Sequence, residues 1–372
     1  MKMHLQPISK TSLERYLSIS DLTEDKKHVI GMLYERILEY MRDCHPNSKV
    51  MVVRSNPIVS LEDNYDNLLI PKDNISRSST YTQYIDENRI LRTHTSAHIP
   101  KVLKELAMRR DWNDVVILIP GLAYRRDVTD KTHLGEIHML EMWRVSKARK
   151  IRKRDLLDAM KGLGDVAAPG WSLRIVNSPH PYTEQGIEMN AVRGNRDIEI
   201  GEAGLINDQI LKNAGLDPRV YSGWASGMGL DRLVMTLKGI PDVRYLRSAN
   251  PAIAKQMHGL DPYREVSSQP AIRRDLSYSV PKQYVEEDIH QEIRDAMGDQ
   301  VGILESVEIL NETPRQDLPS LIRERLGISS SQKNILVRIS LRHLERTLTK
   351  KQANGVYEEI YSKVNHGSAG YL

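Results

Sequence analysis

The sequence contains no phenylalanine. Its 372 residues include 16 tyrosines and 4 tryptophans, whereas an ordinary composition would supply about a dozen phenylalanines. The simplest explanation is a lineage bias in which Tyr, Leu and Met fill the core. A second explanation, that the omission has a function, depends on what the protein does.

Cysteine and long apolar stretches are also scarce. The single Cys44 can form neither an internal disulfide nor a thiolate metal cluster, so we expect a reducing, cytoplasmic location. No stretch approaches the roughly 20 apolar residues that cross a bilayer, so we expect no membrane association. The first thirty residues mix acidic with basic side chains, and we expect no removable targeting segment there.

The length exceeds what one hydrophobic core supports, since single cores stop growing at roughly 250 to 300 residues. We therefore predict an α/β (α+β) protein with two domains. A helical N-terminal segment is expected at 1–50, a larger domain built on an antiparallel sheet at 51–255, and a linker at 256–269. Residues 270–372 show a β-α-β-β-α order that is typical of a ferredoxin-like split βαβ fold.

Residues 111–145 place an arginine and a glutamate on a predicted hairpin. Segment 111–121 is expected to be a buried strand that ends at a Pro-Gly break, and the hairpin 121–145 carries Arg125 on its first strand and Glu141 on its second. Arg232 opens a predicted helix just after two glycines. A strand arginine can offer a forked donor to phosphate, and glycines let a nucleotide approach the backbone. Each signal is weak alone, because strand arginines more often form surface ion pairs.

Taken in order, five segments resemble class II aminoacyl-tRNA synthetases, in particular phenylalanyl-tRNA synthetase of the single-chain organellar type. These segments are NYDNLLIPKDNISR (64–77), ILRTHTSAH (90–98), YRRDVTDKTH with the later IHMLE (124–141), HPYTE (180–184) and GWASGMGLDRLVMTLKGIPDVR (223–244). The resemblance implies a class II catalytic domain at 51–255. It also implies a ferredoxin-fold anticodon-binding domain at 270–372, which carries PAIRRDLSYSV and RTLT.

The resemblance implies an activity and a set of site residues. ATP and an amino acid would form an aminoacyl adenylate with the help of Mg²⁺, and the acyl group would pass to tRNA. Arg125 would grip the α-phosphate, and Arg232 would lie over the adenine. The implied ATP-binding residues are Arg125, Asp127, His133, Ile137 and Arg232. The implied amino-acid-binding residues are His94, Ser96, Met139, Glu141, His180, Tyr182, Glu202 and Ala225. Glu199 would hold Mg²⁺, with Glu202 as a candidate further ligand.

Several positions in the implied amino-acid pocket depart from the family pattern. The family has Phe-Pro-Phe-Thr-Glu where this chain has His180-Pro181-Tyr182-Thr183-Glu184, and Glu202 stands where Gly is common. Met139 replaces a Gln, and Ile137 and Ser226 each replace a Phe. A carboxylate near a hydrophobic ring is costly unless it is paired. Phenylalanine remains the leading substrate, and a more polar amino acid stays open.

A basic run follows the hairpin. Its six cations fall within eight residues and are Lys147, Arg149, Lys150, Arg152, Lys153 and Arg154. Neutralisation of tRNA phosphates is the functional interpretation, and a solvated start of a helix is the alternative.

Two alternative functions and the oligomeric state stay open. The chain could be a synthetase-derived ligase that acts on a non-tRNA acceptor, or a catalytically silent tRNA-binding paralogue. It could act as a monomer or as a homodimer. If it serves phenylalanine, the missing Phe could free its own synthesis from phenylalanine supply. In the competing hypothesis, the omission has changed the pocket at His180, Tyr182 and Ser226.

Overall fold

The computed structural model describes residues 7–109, 111–266 and 269–368. Parts of the predicted N-terminal segment, linker and C-terminal domain therefore lie outside the described residues. The chain packs into two compact units. The first runs up to Arg125 and adds Glu136–Ile240 and Gln256–Tyr263; the second holds Arg126–Gly135, Pro241–Lys255 and the residues from Arg264 onwards. The predicted domain boundaries were drawn from the sequence and the family resemblance, whereas these units are defined by packing. The predicted boundaries therefore stay a prediction.

The first unit contains nine strands and seven α-helices within its described residues. The helices are α1 (Lys10–Ser18), α2 (Val29–Cys44), α3 (Leu61–Asn64), α4 (Ile99–Met108), α5 (Lys153–Ala167), α6 (Asp208–Asn213) and α7 (Leu230–Lys238). The strands are β1 (Lys49–Val52), β2 (Ile58–Ser60), β3 (Arg89–Leu91), β4 (Asp114–Tyr124), β5 (Glu136–Ser146), β6 (Ser172–Asn177), β7 (Thr183–Arg193), β8 (Arg196–Ile206) and β9 (Ser222–Gly229).

Seven of these strands form one sheet in the order β1-β4-β5-β9-β8-β7-β6. β1 runs parallel to β4, and the other neighbouring pairs are antiparallel. Helices α4 and α6 pack on one face, where their apolar side chains share a core with β4, β5 and β9. Helix α2 contacts β4, α5 and α7. The predicted antiparallel sheet with flanking helices is confirmed.

Strand β4 corrects one expectation, because it does not end at Pro120-Gly121. All eleven residues from Asp114 to Tyr124 are buried in one strand. β1 pairs with β4 only as far as Leu118, so Pro120 has no β1 ladder to interrupt, and sheets tolerate proline in such places. Gly121 has φ +143°, and a Cβ there would lie 2.3 Å from Arg92 Nη2, which explains the glycine.

The second unit contains three strands and four α-helices in the part of it that is described. They are α8 (Pro251–Ala254), β10 (Ile272–Pro281), α9 (Glu286–Met297), β11 (Leu304–Pro314), α10 (Ser320–Leu326), β12 (Gln332–Leu341) and α11 (Lys350–Val364). The strands form an antiparallel sheet with β12 between β10 and β11. Helices α9 and α11 share its core. The β-α-β-β-α order is confirmed with one addition, α10, whereas an anticodon-binding role stays a prediction.

The structure also bears on the membrane expectation. Within the described ranges, no helix combines the length and the apolar character that a bilayer span requires.

Candidate active site

Glycine and glutamate alternate in one row across the middle of the large sheet. Glu141 on β5 lies opposite Gly227 on β9, and Gly227 lies opposite Glu202 on β8. Residues opposite each other across antiparallel strands share a face. Because Gly227 has no side chain, the backbone of β9 lies bare between the two carboxylate-bearing strands, and this position is called the slot below. A Cβ at Gly227 would lie 3.0 Å from Glu141 Oε2, so a larger residue would close that slot.

Glu141 is held by two donors in a buried position. Ser96 Oγ donates to its Oε2 at 2.7 Å, and Trp143 Nε1 donates to its Oε1 at 2.6 Å. Ser96 lies in a 3-10 turn, Thr95–His98, that precedes α4. Glu141 is 1% exposed, and burial raises its pKa to about 7 although the two donors oppose the rise. This carboxyl can therefore exchange a proton near neutral pH, and its carboxylate can bind an ammonium group.

The next row of the sheet carries an aromatic stack. Trp143 lies opposite Ala225, and Ala225 lies opposite Gly204. The Tyr182 ring lies nearly parallel to the Trp143 ring, with centroids 5.9 Å apart and an interplanar angle of 19°. Burial raises the pKa of Tyr182, which keeps the phenol neutral. Tyr182 packs against the core that includes Trp143 and Ala225, and Thr183 fills the space over Gly204, where a Cβ would lie 2.5 Å from Thr183 Cβ.

The other wall of the slot is polar. His180 Nε2 lies 2.6 Å from Glu202 Oε1, and Ser178 Oγ donates to the same oxygen at 3.4 Å. The Glu202 carboxylate raises the pKa of His180 against the opposing effect of burial. The His180 and Tyr182 ring centroids are 6.1 Å apart. The structure therefore brings the predicted residues Glu141, His180, Tyr182, Glu202 and Ala225 to one face.

A bulge in β8 brings a further carboxylate to this face. Met189 lies opposite Gly201, whereas Asn190 lies opposite Glu199, so Ile200 is an extra residue in the pairing. Without the bulge, strand alternation would turn Glu199 away from the face of Glu202. Burial, followed by the charges of Glu202 and Glu188, raises the pKa of Glu199. A cation beside these oxygens would relieve their repulsion.

The metal expectation concerns Glu199 and Glu202. In residues 7–109, 111–266 and 269–368, no three His, Cys, Asp or Glu side chains are grouped so that they could hold a metal ion. Carboxylate oxygens are nevertheless the donors that Mg²⁺ prefers, and Mg²⁺ commonly takes one or two carboxylates together with substrate phosphates. Glu199 and Glu202 fit this arrangement, in which the protein supplies one or two carboxylates and the substrate phosphates supply further ligands.

Two arginines lie at the edge of this face. Arg125 follows β4; its Nε donates to Thr93 O at 2.9 Å, and its Nη2 lies 3.8 Å from Met139 Sδ. In the described ranges Arg125 has no carboxylate within ion-pair distance, so its charge is available to an anion. Arg232 is exposed in the first turn of α7, and its charge lowers the pKa of Glu199 against the effects that raise it. Ile137 is half-buried on β5.

His94 is half-buried, and its two buried ring nitrogens make no hydrogen bond to the described residues. Burial, reinforced by the charge of Arg125, lowers its pKa to about 3. The Tyr65 ring meets it edge-on at 6.4 Å. A neutral imidazole without a partner favours a ligand that can satisfy it, since an unsatisfied buried polar group is costly.

Sequence reasoning missed a buried tie that connects β5 to α7. His138 Nδ1 donates to Asp231 Oδ1 at 2.7 Å, and the His138 backbone N–H donates to Oδ2 at 2.5 Å. The backbone N–H of Leu22 donates to His138 Nε2 at 3.1 Å. His138 is fully buried. An acidic residue in the first turn of a helix was the available signal, but its partner on a distant strand was not visible.

Two predicted ATP-binding residues belong to the second unit. The Asp127 carbonyl accepts a hydrogen bond from Arg294. His133 Nδ1 lies 2.8 Å from Asp130 Oδ2. The segment that carries them is also held by Thr129, whose N–H donates to His290 Nδ1 at 2.8 Å.

The basic run is partly engaged within the protein. Its contacts are Arg149 with Asp155 (2.8 Å), Arg154 with Asp158 (3.7 Å), Lys150 Nζ with Pro218 O (3.3 Å) and Lys147 Nζ over the Trp112 ring (5.5 Å). Exposed pairs of this kind exchange readily with water and anions. A tRNA-binding role for the run stays a prediction.

Comparisons with known proteins agree on one family. Residues 15–257 match the model described as the class II core domain (F) of tRNA synthetases. A chloroplastic/mitochondrial phenylalanine–tRNA ligase of Arabidopsis thaliana is 28% identical and covers 91% of this chain and 77% of its own. A probable mitochondrial phenylalanine–tRNA ligase of Drosophila melanogaster is 25% identical and covers 90% and 83%. A phenylalanine–tRNA ligase alpha subunit of Clostridium tetani is 31% identical and covers 69% and 81%.

Among solved structures, a pyrrolysyl-tRNA synthetase of Desulfitobacterium hafniense aligns with a TM-score of 0.47 and 18% identity over 64% of this chain and 78% of its own. The sequence relatives confirm the resemblance seen in the motifs. They contradict the cytoplasmic location, which was wrong, because the Arabidopsis and Drosophila relatives are named as chloroplastic or mitochondrial enzymes.

Proposed function

We propose that the site activates phenylalanine or a more polar relative with ATP. The acyl group then passes to tRNA. The chain belongs to the family of class II tRNA synthetase core domains, and it is a ligase of the aminoacyl-tRNA synthetase type. The relatives support neither of the alternatives, a ligase with a non-tRNA acceptor or a silent tRNA-binding paralogue. Their names also point to an organelle as the site of action.

The observation that carries this proposal is the common face of Glu141 and Arg125. The buried Glu141 carboxylate, fixed by Ser96 and Trp143, binds the ammonium group of the amino acid. Arg125, fixed through its Nε by the Thr93 carbonyl, donates to the α-phosphate of ATP. The amino-acid carboxylate then attacks the α-phosphorus, and pyrophosphate leaves with the electron pair of the broken P–O bond. Holding both reactants in line is the main contribution of such a site.

Charge stabilisation is divided between arginines and carboxylates. Arg125 offsets the negative charge that grows on the α-phosphate as the bond to pyrophosphate breaks. Arg232, at the start of α7, extends over the nucleotide, with Ile137 as a further candidate contact. Glu199 would hold Mg²⁺, which offsets phosphate charge when it is bound. His94 would accept a hydrogen bond from the amino acid or donate one to it, which would satisfy its ring nitrogens.

Arg125→Ala tests the assigned site. We expect it to lower amino-acid-dependent exchange of pyrophosphate into ATP by about 10³-fold, as loss of a transition-state donor does, with an unchanged thermal melting curve. Arg174→Ala is the matched control, because Arg174 is a strand arginine of the same sheet that makes an exposed ion pair with Asp197. Normal exchange in Arg125→Ala would place the phosphate site elsewhere.

A further inference from the structure

The polar wall of the slot has a consequence for the choice of amino acid. Glu141 and Glu202 lie on strands that flank β9, with the bare backbone of Gly227 between them. Adjacent strands are about 4.8 Å apart, so the two backbones are roughly 10 Å apart. An amino acid whose ammonium group meets Glu141 therefore extends its side chain across Gly227 towards Glu202. There it meets the contact between His180 and Glu202, in which Nε2 and Oε1 are 2.6 Å apart.

The apolar space of the neighbouring row is already occupied. Trp143 is fully buried, and its ring stacks on that of Tyr182 at a centroid distance of 5.9 Å. Inserting a further ring between two parallel rings requires about 7 Å, twice the carbon contact distance. Tyr182 also packs against the core that includes Ala225. A substrate phenyl ring would have to displace these rings or lie against the Glu202 carboxylate and the His180 imidazole.

The local charge favours side chains that can donate hydrogen bonds. Glu202 lies opposite Glu188 on β7, and its charge and that of Glu188 act together on Glu199. Asn190 Nδ2 donates to Glu188 at 2.7 Å, whereas the contacts of Glu202 are with His180 and Ser178. Like charges on facing strands are unfavourable, so a donor or a cation that enters the slot is stabilised. A hydrocarbon that enters it removes water from a carboxylate without replacing its hydrogen bonds.

We propose that the His180–Glu202 pair, set beside the filled space at Trp143 and Tyr182, selects an amino acid whose side chain ends in a hydrogen-bond-donating polar group and rejects phenylalanine. This inference rests on the proposed function and specifies its substrate. Glu202 is thereby a specificity-determining residue on the amino-acid side, and Glu199 is left as the carboxylate for Mg²⁺. Sites built to hydrogen-bond a substrate reject analogues that lack the group by about 10⁴-fold, so a preference of at least about 10²-fold over phenylalanine is expected.

The test is pyrophosphate exchange by the purified full chain with each of the twenty standard amino acids. We expect kcat/KM for one polar amino acid to exceed that for phenylalanine by at least 100-fold, an estimate from hydrogen-bonded specificity. Glu202→Gly combined with His180→Phe should lower the polar preference by at least about tenfold and raise exchange with phenylalanine. Glu202→Gln, which keeps the shape and removes the charge, should mainly raise KM for the polar substrate.

Glu184→Gln is the matched control, because Glu184 is an exposed carboxylate at the start of β7; it should leave the profile unchanged. A wild-type preference for phenylalanine would overturn the inference and leave the proposed function standing. Absence of exchange with all twenty amino acids would overturn the proposed function, and the inference with it. Melting curves of each variant separate a loss of selectivity from a loss of fold.

Discussion

A buried phenol without a hydrogen bond marks one place where phenylalanine would fit better. Tyr278 on β10 is 1% exposed, and its hydroxyl has no hydrogen-bond partner among the described residues. Burial raises the pKa of Tyr278, so the group stays neutral. Tyr357 on α11 is fully buried in the same core, but its hydroxyl donates to Ile272 O at 2.7 Å and lies 3.2 Å from Ile339 O. The same side chain is therefore satisfied at one position and unsatisfied at the other.

These two tyrosines give opposite predictions for one substitution. Tyr278→Phe should raise the free energy of unfolding by about 1 kcal/mol, because it removes a buried hydroxyl that lacks a partner. Tyr357→Phe should lower it by about 1 kcal/mol, because it deletes a hydroxyl that has partners. Urea denaturation of the two variants and of the parent protein measures both changes. If Tyr278→Phe is destabilising, the Tyr278 hydroxyl has a partner that offsets its burial.

At the scale of elements, the start of α7 depends on a strand partner. Asp231 in its first turn receives both the backbone N–H and the Nδ1–H of His138. The next residue, Arg232, is the proposed nucleotide contact. The tie between β5 and α7 therefore fixes the direction from which Arg232 enters the site. We expect loss of the His138–Asp231 hydrogen bonds to lower the free energy of unfolding strongly. His138 is fully buried, so water cannot replace Asp231 as its partner.

Asp231→Ala should lower the free energy of unfolding by about 3 kcal/mol, since it leaves buried donors of His138 without an acceptor. It should also raise KM for ATP in pyrophosphate exchange, because Arg232 loses its anchored neighbour. Asp208→Ala is the matched control: Asp208 is an exposed acid in the first turn of α6, and its loss should cost only about 0.5 kcal/mol. Equal effects in the two variants would reduce the role of Asp231 to that of an ordinary helix-end charge.

Most elements could be predicted from the sequence because their signals are local. The apolar spacing in α2 and the alternation in β7 and β8 depend on neighbouring residues only. Pro120-Gly121 was misleading, because its effect depends on where β1 ends, which is a property of the sheet. The bulge at Ile200 could not be predicted either, since register between strands is set by tertiary pairing.

The candidate site divides in the same way. Motif resemblance identified the candidate residues Arg125 and Glu141, because their spacing within segment 124–141 carries the signal, and it marked Glu202 as a departure from the family pattern. It could not show that the Trp143 ring stacks on Tyr182 or that His180 lies against Glu202. Those contacts join residues from different strands and loops, and they depend on packing across the sheet. The motif therefore indicated the chemistry, and the contacts between segments carry the inference about specificity.

The aromatic core of the whole molecule is made of tyrosine and tryptophan. The largest fully buried side chains include Trp143, Trp224, Tyr16, Tyr65 and Tyr84 in the first unit and Tyr278 and Tyr357 in the second. Both units thus fill their interiors without phenylalanine. At Tyr278 the expected consequence is a lower stability than phenylalanine would give, because the buried hydroxyl has no partner among the described residues. Whichever amino acid the protein activates, a chain without phenylalanine has no phenylalanine codon to translate.

Since none of the 372 codons calls for phenylalanine, translation of this chain should not depend on charged phenylalanine tRNA. We expect a reconstituted translation mixture that lacks phenylalanine to make the full-length chain at the rate of a complete mixture. The Tyr278→Phe variant is the matched control, because its single phenylalanine codon should stop synthesis near residue 278. Gel quantification of full-length and truncated products measures the difference. In phenylalanine-starved cells the parent chain should likewise accumulate while the variant does not, and an equal decline of both would remove the proposed advantage.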